Sequence, residues 1–488
     1  MSAAPERDEP HTAPDQPKVA IFTTVGCTFC KRVKAALREA DIPYAEHELS
    51  KSLDLLKEVK RQTGRTTVPQ VFVGGELIGG ATETIELLQQ GSLAERISSA
   101  KQPPLPANLQ SLVEKALKDQ QDTQKDELNH LGITQQELTE LKQTAAKLQQ
   151  AQHEVPIETH WQGLKPHKHT IKLTDLLRWL SSSSSQSASK AATQMQKAGL
   201  LGIIAGPAER STPIDSVPEG HAASVLVRLT SQAEPKLSQP LNRLTTWIGP
   251  SRPAGKVAES LRQRILELYE SHLMPGGKAV NYTALTKDQR FADYVAATAE
   301  LQQVDAASLS RDERMCLFIN IYNALIIHGL AVHGPRDNTL SRLHWFGSIS
   351  YDIGGQWAGA YFKQSDPRTK LVVTPLDPRL HFALVCGAKS CPPIKLYTPS
   401  LLEEGLASAA TAFCQGEVTV DAERRQIQLS MIFKWYADDF GSSAKERMQW
   451  LQPQLAPDQQ EALQKLLDLA LDKVEIKYSE YDWGMNST

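Results

Sequence analysis

After a proline-rich, charged stretch, the chain switches repeatedly between strand-like and helix-like hydrophobic patterns. Val19–Thr23 is a short apolar run that predicts a buried strand. Val33, Ala36 and Leu37 recur at helical spacing, and Val71–Val73 is a β-rich run that stops at Gly74-Gly75. This rhythm over residues 18–98 predicts a small α/β domain. From Leu109 to about Gln152 the sequence turns to Gln, Lys, Glu and Leu, with apolar residues at Leu112, Val113, Leu117, Leu138, Leu141 and Leu148. That pattern predicts a helical linker over 99–154, broken into a hairpin at Gly132. Further on, Ile171, Leu173, Leu176, Leu177, Trp179 and Leu180 mark an amphipathic helix, and a second helix leads to Ala198-Gly199-Leu200-Leu201. A β-ribbon is expected to close at Ser224–Leu229, after a loop over Gly206–Gly220. Trp161 and Trp179 are expected in the core, and His167 and His169 in a solvated loop. Several Pro and Ser around Trp247 mark 236–254 as a linker, and 255–485 is long enough for a domain with its own core.

Length and composition fit this division. A chain of 488 residues suggests about three domains, and 41% hydrophobic with 22% charged residues fills ordinary cores. Lys+Arg 53 against Asp+Glu 56 leaves a formal net charge of -3, so no nucleic-acid partner is expected. The six cysteines are too sparse for a secreted disulfide scaffold and point to a reducing, cytoplasmic setting. Residues 1–17 have prolines and charges where a secretory signal needs an apolar core, and are expected to form a disordered tail. The apolar run Cys316–Val332 carries Asn320, Tyr322, Asn323 and His328, so it is expected to be a buried helix rather than a membrane span.

Gly26-Cys27-Thr28-Phe29-Cys30 lies between a predicted strand and a predicted helix. Cys27 would then sit at or before the first helical turn, where exposed N–H groups stabilise a thiolate. Cys30 would fall on the same face and could resolve a mixed disulfide at Cys27. Thr67-Val68-Pro69 precedes the strand at Val71–Val73, and Gly79-Gly80 follows with Thr82 as an N-cap for Ile85–Leu88. Together these motifs resemble glutaredoxin. The resemblance implies a thioredoxin-like fold, Cys27 as nucleophile, Cys30 as resolving thiol, Pro69 in a cis peptide and glutathione as the recycling thiol, lying across Val68 and Gly80–Glu83. Arg61 and Arg65 are candidates for its glycyl carboxylate. Thr24 stands where the family often has Lys, Thr28-Phe29 replace the usual Pro and Tyr, and Thr82-Glu83 replace paired aspartates.

In the middle region, two amphipathic helices and a terminal ribbon fit a small winged-helix unit without a basic recognition helix. The stretch from Lys172–Leu180 to Leu201 is similar to a DEP domain, which implies membrane-lipid or protein docking in signalling. In the last region, Glu313–Leu325 reads as a helix with buried amides at Asn320 and Asn323, which need a polar network. Asp377–Pro393 reads as a buried strand, a Gly turn, and Cys391 before prolines. His381 could return as a base to Cys391, a Cys/His pair suited to nucleophilic catalysis. With Val280-Asn281-Tyr282 and Ser430–Phe440, these motifs closely resemble the domain of unknown function family 547, implying an α+β cysteine-peptidase-like fold with Cys, His and an acidic partner. The stretch Gln356-Trp357-Ala358-Gly359 replaces a longer acidic segment, so that partner is left unassigned.

The whole is thus read as a multidomain α/β and α+β protein. A glutathione-dependent thiol-disulfide oxidoreductase acting on disulfide-containing or glutathionylated proteins is joined to a DEP-like docking module and a peptidase-like domain. The alternatives are a redox-sensing scaffold without turnover, or a thiol hydrolase at His381 and Cys391. No metal site is assigned.

Overall fold

The computed structural model describes residues 17–24, 27–49, 52–65, 67–101, 103–151, 153–183, 187–233, 236–237, 239–274, 279–334, 339–358, 366–388, 397–468 and 474–480. Most of the expected tail and Cys391 lie outside these residues. The chain divides into two compact units, 1–122 and 123–488.

In the first unit the apolar run Val19–Thr23 becomes strand β1, followed by α1 (Thr28–Glu39), β2 (Tyr44–Glu48), α2 (Leu53–Thr63), β3 (Gln70–Val73), β4 (Glu76–Gly79), α3 (Ala81–Gln89) and α4 (Ser92–Ser99). The sheet order is β2-β1-β3-β4. β1 runs parallel to β2 and antiparallel to β3, and β3 runs antiparallel to β4. Alternate residues of β1 feed opposite cores, as strand geometry requires. Val19 and Ile21 pack with Val33, Leu37 and Leu93, whereas Ala20 and Phe22 pack with Leu55, Val59 and Phe72. Leu105, Leu109, Val113 and Ala116 join the second of these cores, so the start of α5 (Ala107–Leu131) is domain structure rather than linker. This is a thioredoxin-like arrangement with α1 beginning directly after the loop that leaves β1.

The second unit opens with the end of α5 and α6 (Gln135–Gln150), joined at Gly132, where the hairpin was expected. Next come β5 (Glu158–Gln162), β6 (Lys165–Lys172), α7 (Leu173–Ser183), α8 (Ala188–Lys197), β7 (Leu201–Ala205), α9 (Glu219–Ala222) and β8 (Leu226–Leu229). Their sheet order is β5-β6-β8-β7. Leu141 and Leu148 of α6, Leu176 and Leu180 of α7 and Met195 of α8 share one core with Ile171, Ile203 and Val227 of the sheet. Three expectations are corrected here. Ile171 belongs to β6 rather than to the following helix. Trp161 is 65% exposed rather than core. His167 is a buried strand residue rather than part of a solvated loop, since the β5–β6 hairpin extends back over that segment. Trp179 is buried, and its indole N–H donates to Glu154 at 3.0 Å.

The stretch read as a linker around Trp247 is also packed. Leu241, Asn242 and Trp247 are buried. The Asn242 amide donates to the carbonyls of Thr298 and Asp352 and accepts the Asp352 N–H, and Arg243 pairs with Asp352. Pro240 is buried beside them, and the hydrogen bonds of the Asn242 side chain anchor this segment.

The remainder contains α10 (Ala254–Ser271), α11 (Tyr282–Lys287), α12 (Gln289–Thr298), α13 (Arg311–His333), α14 (Thr339–Ser348), β9 (Tyr351–Ile353), β10 (Gln356–Ala358), α15 (Leu402–Glu417), β11 (Thr419–Asp421), β12 (Gln426–Leu429), α16 (Ile432–Trp435), α17 (Ala437–Phe440), α18 (Ala444–Leu451), α19 (Pro457–Leu467) and β13 (Glu475–Tyr478). α13 is long and apolar enough to cross a membrane by length and composition, but 78% of its apolar window is buried in the fold, as expected for a core helix. His328 on α13 is fully buried, and its Nδ1 lies 2.8 Å from the Tyr351 hydroxyl, itself 2.8 Å from the Tyr294 hydroxyl. Burial pushes the His328 pKa down to about 3.

Candidate redox site

Helix α1 starts where its N-cap can be satisfied. The Cys27 backbone is extended, with φ -70° and ψ 112°, and its sulfur accepts the Cys30 N–H at 3.2 Å. A cysteine thus does here what Ser or Asp does at most helix starts. The sulfur is also 3.6 Å from the Val68 carbonyl oxygen, and the Val68–Pro69 peptide is cis. Cys27 is half-buried, while Cys30 is 2% exposed.

These contacts separate the two thiols. The hydrogen bond from the Cys30 thiol, together with the backbone N–H groups of Cys30 and Phe29 and the charge of Lys31, outweighs burial and lowers the Cys27 pKa to about 7. The Cys30 pKa moves far upward, because its proton is held by Cys27 and its sulfur is buried. One sulfur is therefore a substantial thiolate near neutrality, and the other is a protonated reserve beside it.

Around them the structure brings together part of the predicted glutathione set. Arg65 pairs with Glu83 at 2.6 Å, and Glu83 accepts the Gly80 N–H at 3.0 Å. A Cβ built on Gly80 would lie 3.3 Å from the Pro69 carbonyl oxygen and 3.4 Å from Arg65 Nη1, so Arg65, Pro69, Gly80 and Glu83 converge. Gly79 has φ 133°, and a Cβ there would meet Glu83 Cβ at 2.6 Å, so this turn needs glycine. Val68 is half-buried beside the Cys27 sulfur. One expected role is corrected, and one candidate residue stands apart. Thr82 is not an N-cap: Glu83 closes on Gly80, which starts α3 at Ala81 and leaves Thr82 exposed within the first turn. Arg61 is exposed and pairs with Glu58 along α2 rather than joining the cluster.

A second cluster lies in the last region. Where a buried strand is expected after Asp377, the chain instead forms a 3₁₀ turn over Pro378–Phe382, because Asp377 caps it by accepting the Arg379 N–H at 3.0 Å and Pro378 stands at its first position. His381 Nε2 lies 2.8 Å from Asp439 Oδ2, and its ring stacks on Tyr436 with centroids 4.0 Å apart. Burial lowers the His381 pKa, and Asp439 opposes that shift. The carboxylate beside His381 comes from α17. It stood within a motif already singled out, but nothing in the sequence linked positions 58 residues apart.

Asn320 and Asn323 are the expected polar network and hold this region. Asn323 donates to Ala383 O at 2.9 Å and accepts Val385 N–H at 3.0 Å, and Asn320 donates to Tyr397 O at 2.7 Å. Cys316 and Cys414 are buried thiols, both pushed up to about 12 chiefly by burial.

Residues 19–78 match the glutaredoxin family, and 306–361 with 356–414 match the family described as protein of unknown function, DUF547. Among similar proteins, glutaredoxin-C4 of Arabidopsis thaliana is 32% identical over 97 residues, covering 19% of this chain and 72% of that protein. A glutaredoxin of Pseudomonas aeruginosa is 32% identical over 83 residues, covering 17% of this chain and 99% of its own length. Among solved structures, the holo form of glutaredoxin C1 from Populus tremula x tremuloides is 35% identical, covers 17% of this chain and 86% of that one, and has a TM-score of 0.17. Through its N-terminal domain, this chain belongs to the glutaredoxin family.

Proposed function

We propose that this chain is a glutathione-dependent thiol-disulfide oxidoreductase, acting on disulfide-containing or glutathionylated proteins and carrying a docking module and a peptidase-like domain. The observation that supports it is the Cys27 sulfur, which caps α1 beside Pro69 with its pKa lowered to about 7. The Cys27 thiolate attacks one sulfur of a substrate disulfide, forming a mixed disulfide, and the other sulfur leaves as a thiolate that takes up a proton. When the substrate is glutathionylated, Cys27 takes the glutathionyl group. A second glutathione thiolate then attacks it, releasing glutathione disulfide and restoring the Cys27 thiolate. In the dithiol route Cys30 loses its proton as it attacks the Cys27 sulfur, which expels the substrate's second thiolate and leaves a Cys27–Cys30 disulfide that two glutathione thiols reduce, releasing glutathione disulfide. Two electrons pass from thiols to the substrate disulfide in either case. Glutathione is assigned to the surface formed by Val68, Pro69, Gly80 and Glu83, with Arg65 sharing its charge between Glu83 and the glycyl carboxylate.

The order α6, β5–β6 hairpin, α7, α8 and β7–β8 ribbon supports a winged-helix-like, DEP-like docking module. A second reading, a thiol hydrolase in the last region, is favoured by the His381–Asp439 pair.

The deciding experiment is glutathione-dependent disulfide reduction by the full chain beside Cys27→Ser and Cys30→Ser. Turnover lost without Cys27 and largely retained without Cys30 is expected. No turnover by the folded, reduced chain contradicts it. Labelling of Cys391 by a thiol-reactive substrate analogue, in a chain with both Cys27→Ser and Cys30→Ser, tests the hydrolase reading, and lack of labelling removes it.

A further inference from the structure

Cys30 lies on the inner face of α1, together with Val33 and Leu37, and all three are buried. One turn further along, on the side of the helix that Cys30 shares, stands Lys34. Helical side chains lean toward the N-terminus of their helix, so the Lys34 stem covers the turn that carries Cys30. The Lys34 side chain is itself only 13% exposed, and its ammonium donates to Glu46 Oε1 of β2 at 2.7 Å. The hydroxyl of buried Thr23, the last residue of β1, donates to the same oxygen at 2.8 Å. A long, flexible cation is thereby pinned between α1, β1 and β2, behind the buried thiol.

The surroundings of Cys30 change in the course of the reaction. In the resting site its proton is held by the Cys27 thiolate, burial disfavours its charged form, and the Cys27 charge opposes a second thiolate beside it. Once Cys27 is part of a mixed disulfide it carries no charge and holds no proton. Burial then remains as the obstacle to a Cys30 thiolate, and the backbone at Thr24 and the charge of Lys34 work against it. Lys31, nearer the start of the helix, acts on Cys27.

We infer that Lys34, held by Glu46 and Thr23, is a positioning residue for the second step of the dithiol route, its ammonium stabilising the charge that develops on the Cys30 sulfur. In that step a bond forms between the Cys30 and Cys27 sulfurs, and the bond from Cys27 to the substrate or glutathione sulfur breaks. The departing sulfur leaves with the electron pair and takes up the proton that Cys30 gives up. The inference rests on the proposed oxidoreductase reading and assigns, within it, what lets a buried thiol act as a nucleophile.

The test mixes the reduced full chain with glutathione disulfide, quenches with acid at set times, and follows the Cys27–glutathione and Cys27–Cys30 disulfides by peptide mass spectrometry. The wild-type chain is expected to pass through the first to the second. Lys34→Gln should close about threefold to fivefold more slowly, since a stabilised thiolate gives back in nucleophilicity roughly half of what it gains in population. Lys34→Arg should restore most of the rate. Glu46→Gln keeps an oxygen for Lys34 and Thr23 while removing the opposing charge, so it should close about twofold faster. Damage to local packing would slow both variants, whereas an effect of charge moves them in opposite directions. Should Lys34→Gln lose its near-ultraviolet circular dichroism, Glu46→Gln decides alone. Closure at the wild-type rate in folded Lys34→Gln, equal slowing in Lys34→Arg, or unchanged or slower closure in Glu46→Gln overturns this inference alone. A wild-type chain that stops at the mixed disulfide also overturns it, while leaving the glutathione route standing. A folded chain that forms neither disulfide overturns the oxidoreductase reading and the inference with it.

Discussion

Cys27 caps the start of α1 and His381 lies within the 3₁₀ turn Pro378–Phe382, and the two sites differ in where the holding groups come from. Cys27 is surrounded by its own sequence neighbours, the N–H groups of Phe29 and Cys30 and the Cys30 thiol, with Val68 the distant contact. His381 is held from afar. Asp439 and Tyr436 come from α16–α17 and the turn that joins them, and Asn323 of α13 fixes the backbone just beyond it. A site built from local hydrogen bonds announces itself in five consecutive residues, whereas one built from distant elements requires the fold.

The largest effect that would sharpen this contrast is on turnover. Cys27→Ser should lower glutathione-dependent reduction by about a thousandfold or more, because an alcohol replaces the attacking thiolate. His381→Ala should leave that rate within about twofold, and a large loss would break the separation of the two sites.

Acid stability should distinguish the two units next. His328 has a folded pKa of about 3 against an ordinary 6.5, so the unfolded chain binds the extra proton between these values. Stability of the second unit from this group is complete above pH 6.5 and is lost as pH falls toward 3, on the order of a few kcal/mol. Monitoring unfolding of the second unit against pH checks this, and His328→Gln should flatten the slope.

A smaller effect concerns the His381 pair. Asp439→Asn should lower the His381 pKa further, since burial already disfavours the imidazolium and Asp439 opposes that shift. Histidine titration by NMR reads it, and an unchanged value would mean the carboxylate does not act on the ring. The smallest effect belongs to Arg65→Gln. The Arg65–Glu83 pair is more than one-third exposed on each side, so its loss should cost under about 1 kcal/mol of stability while raising the KM for glutathione.

Legibility followed the same division. The run Val19–Thr23, the Cys27 cap and the Gly132 break were plain in the sequence because each depends on neighbouring residues. The apolar residues after Asp377 suggest a strand, and the start signal Asp377-Pro378 prevails over them to form the turn Pro378–Phe382. Thr82 has the side chain of an N-cap, but Glu83 reaches back to Gly80 and begins the helix earlier. Residue type alone points Trp161 to the core, and the hairpin's register sends it outward. Asn320 and Asn323 were legible as amides in need of partners, but Tyr397 and Ala383 could not be named without the fold.

The pH dependence of Cys27 alkylation, followed for that residue by mass spectrometry, bears most directly on the central claim. A Cys27 stabilised as a thiolate at the start of α1 should react with a midpoint near pH 7, moving upward in Cys30→Ala as the thiol donor is lost. A midpoint at about 8.5 or above, the ordinary range for a free cysteine, unmoved by Cys30→Ala, would contradict the account.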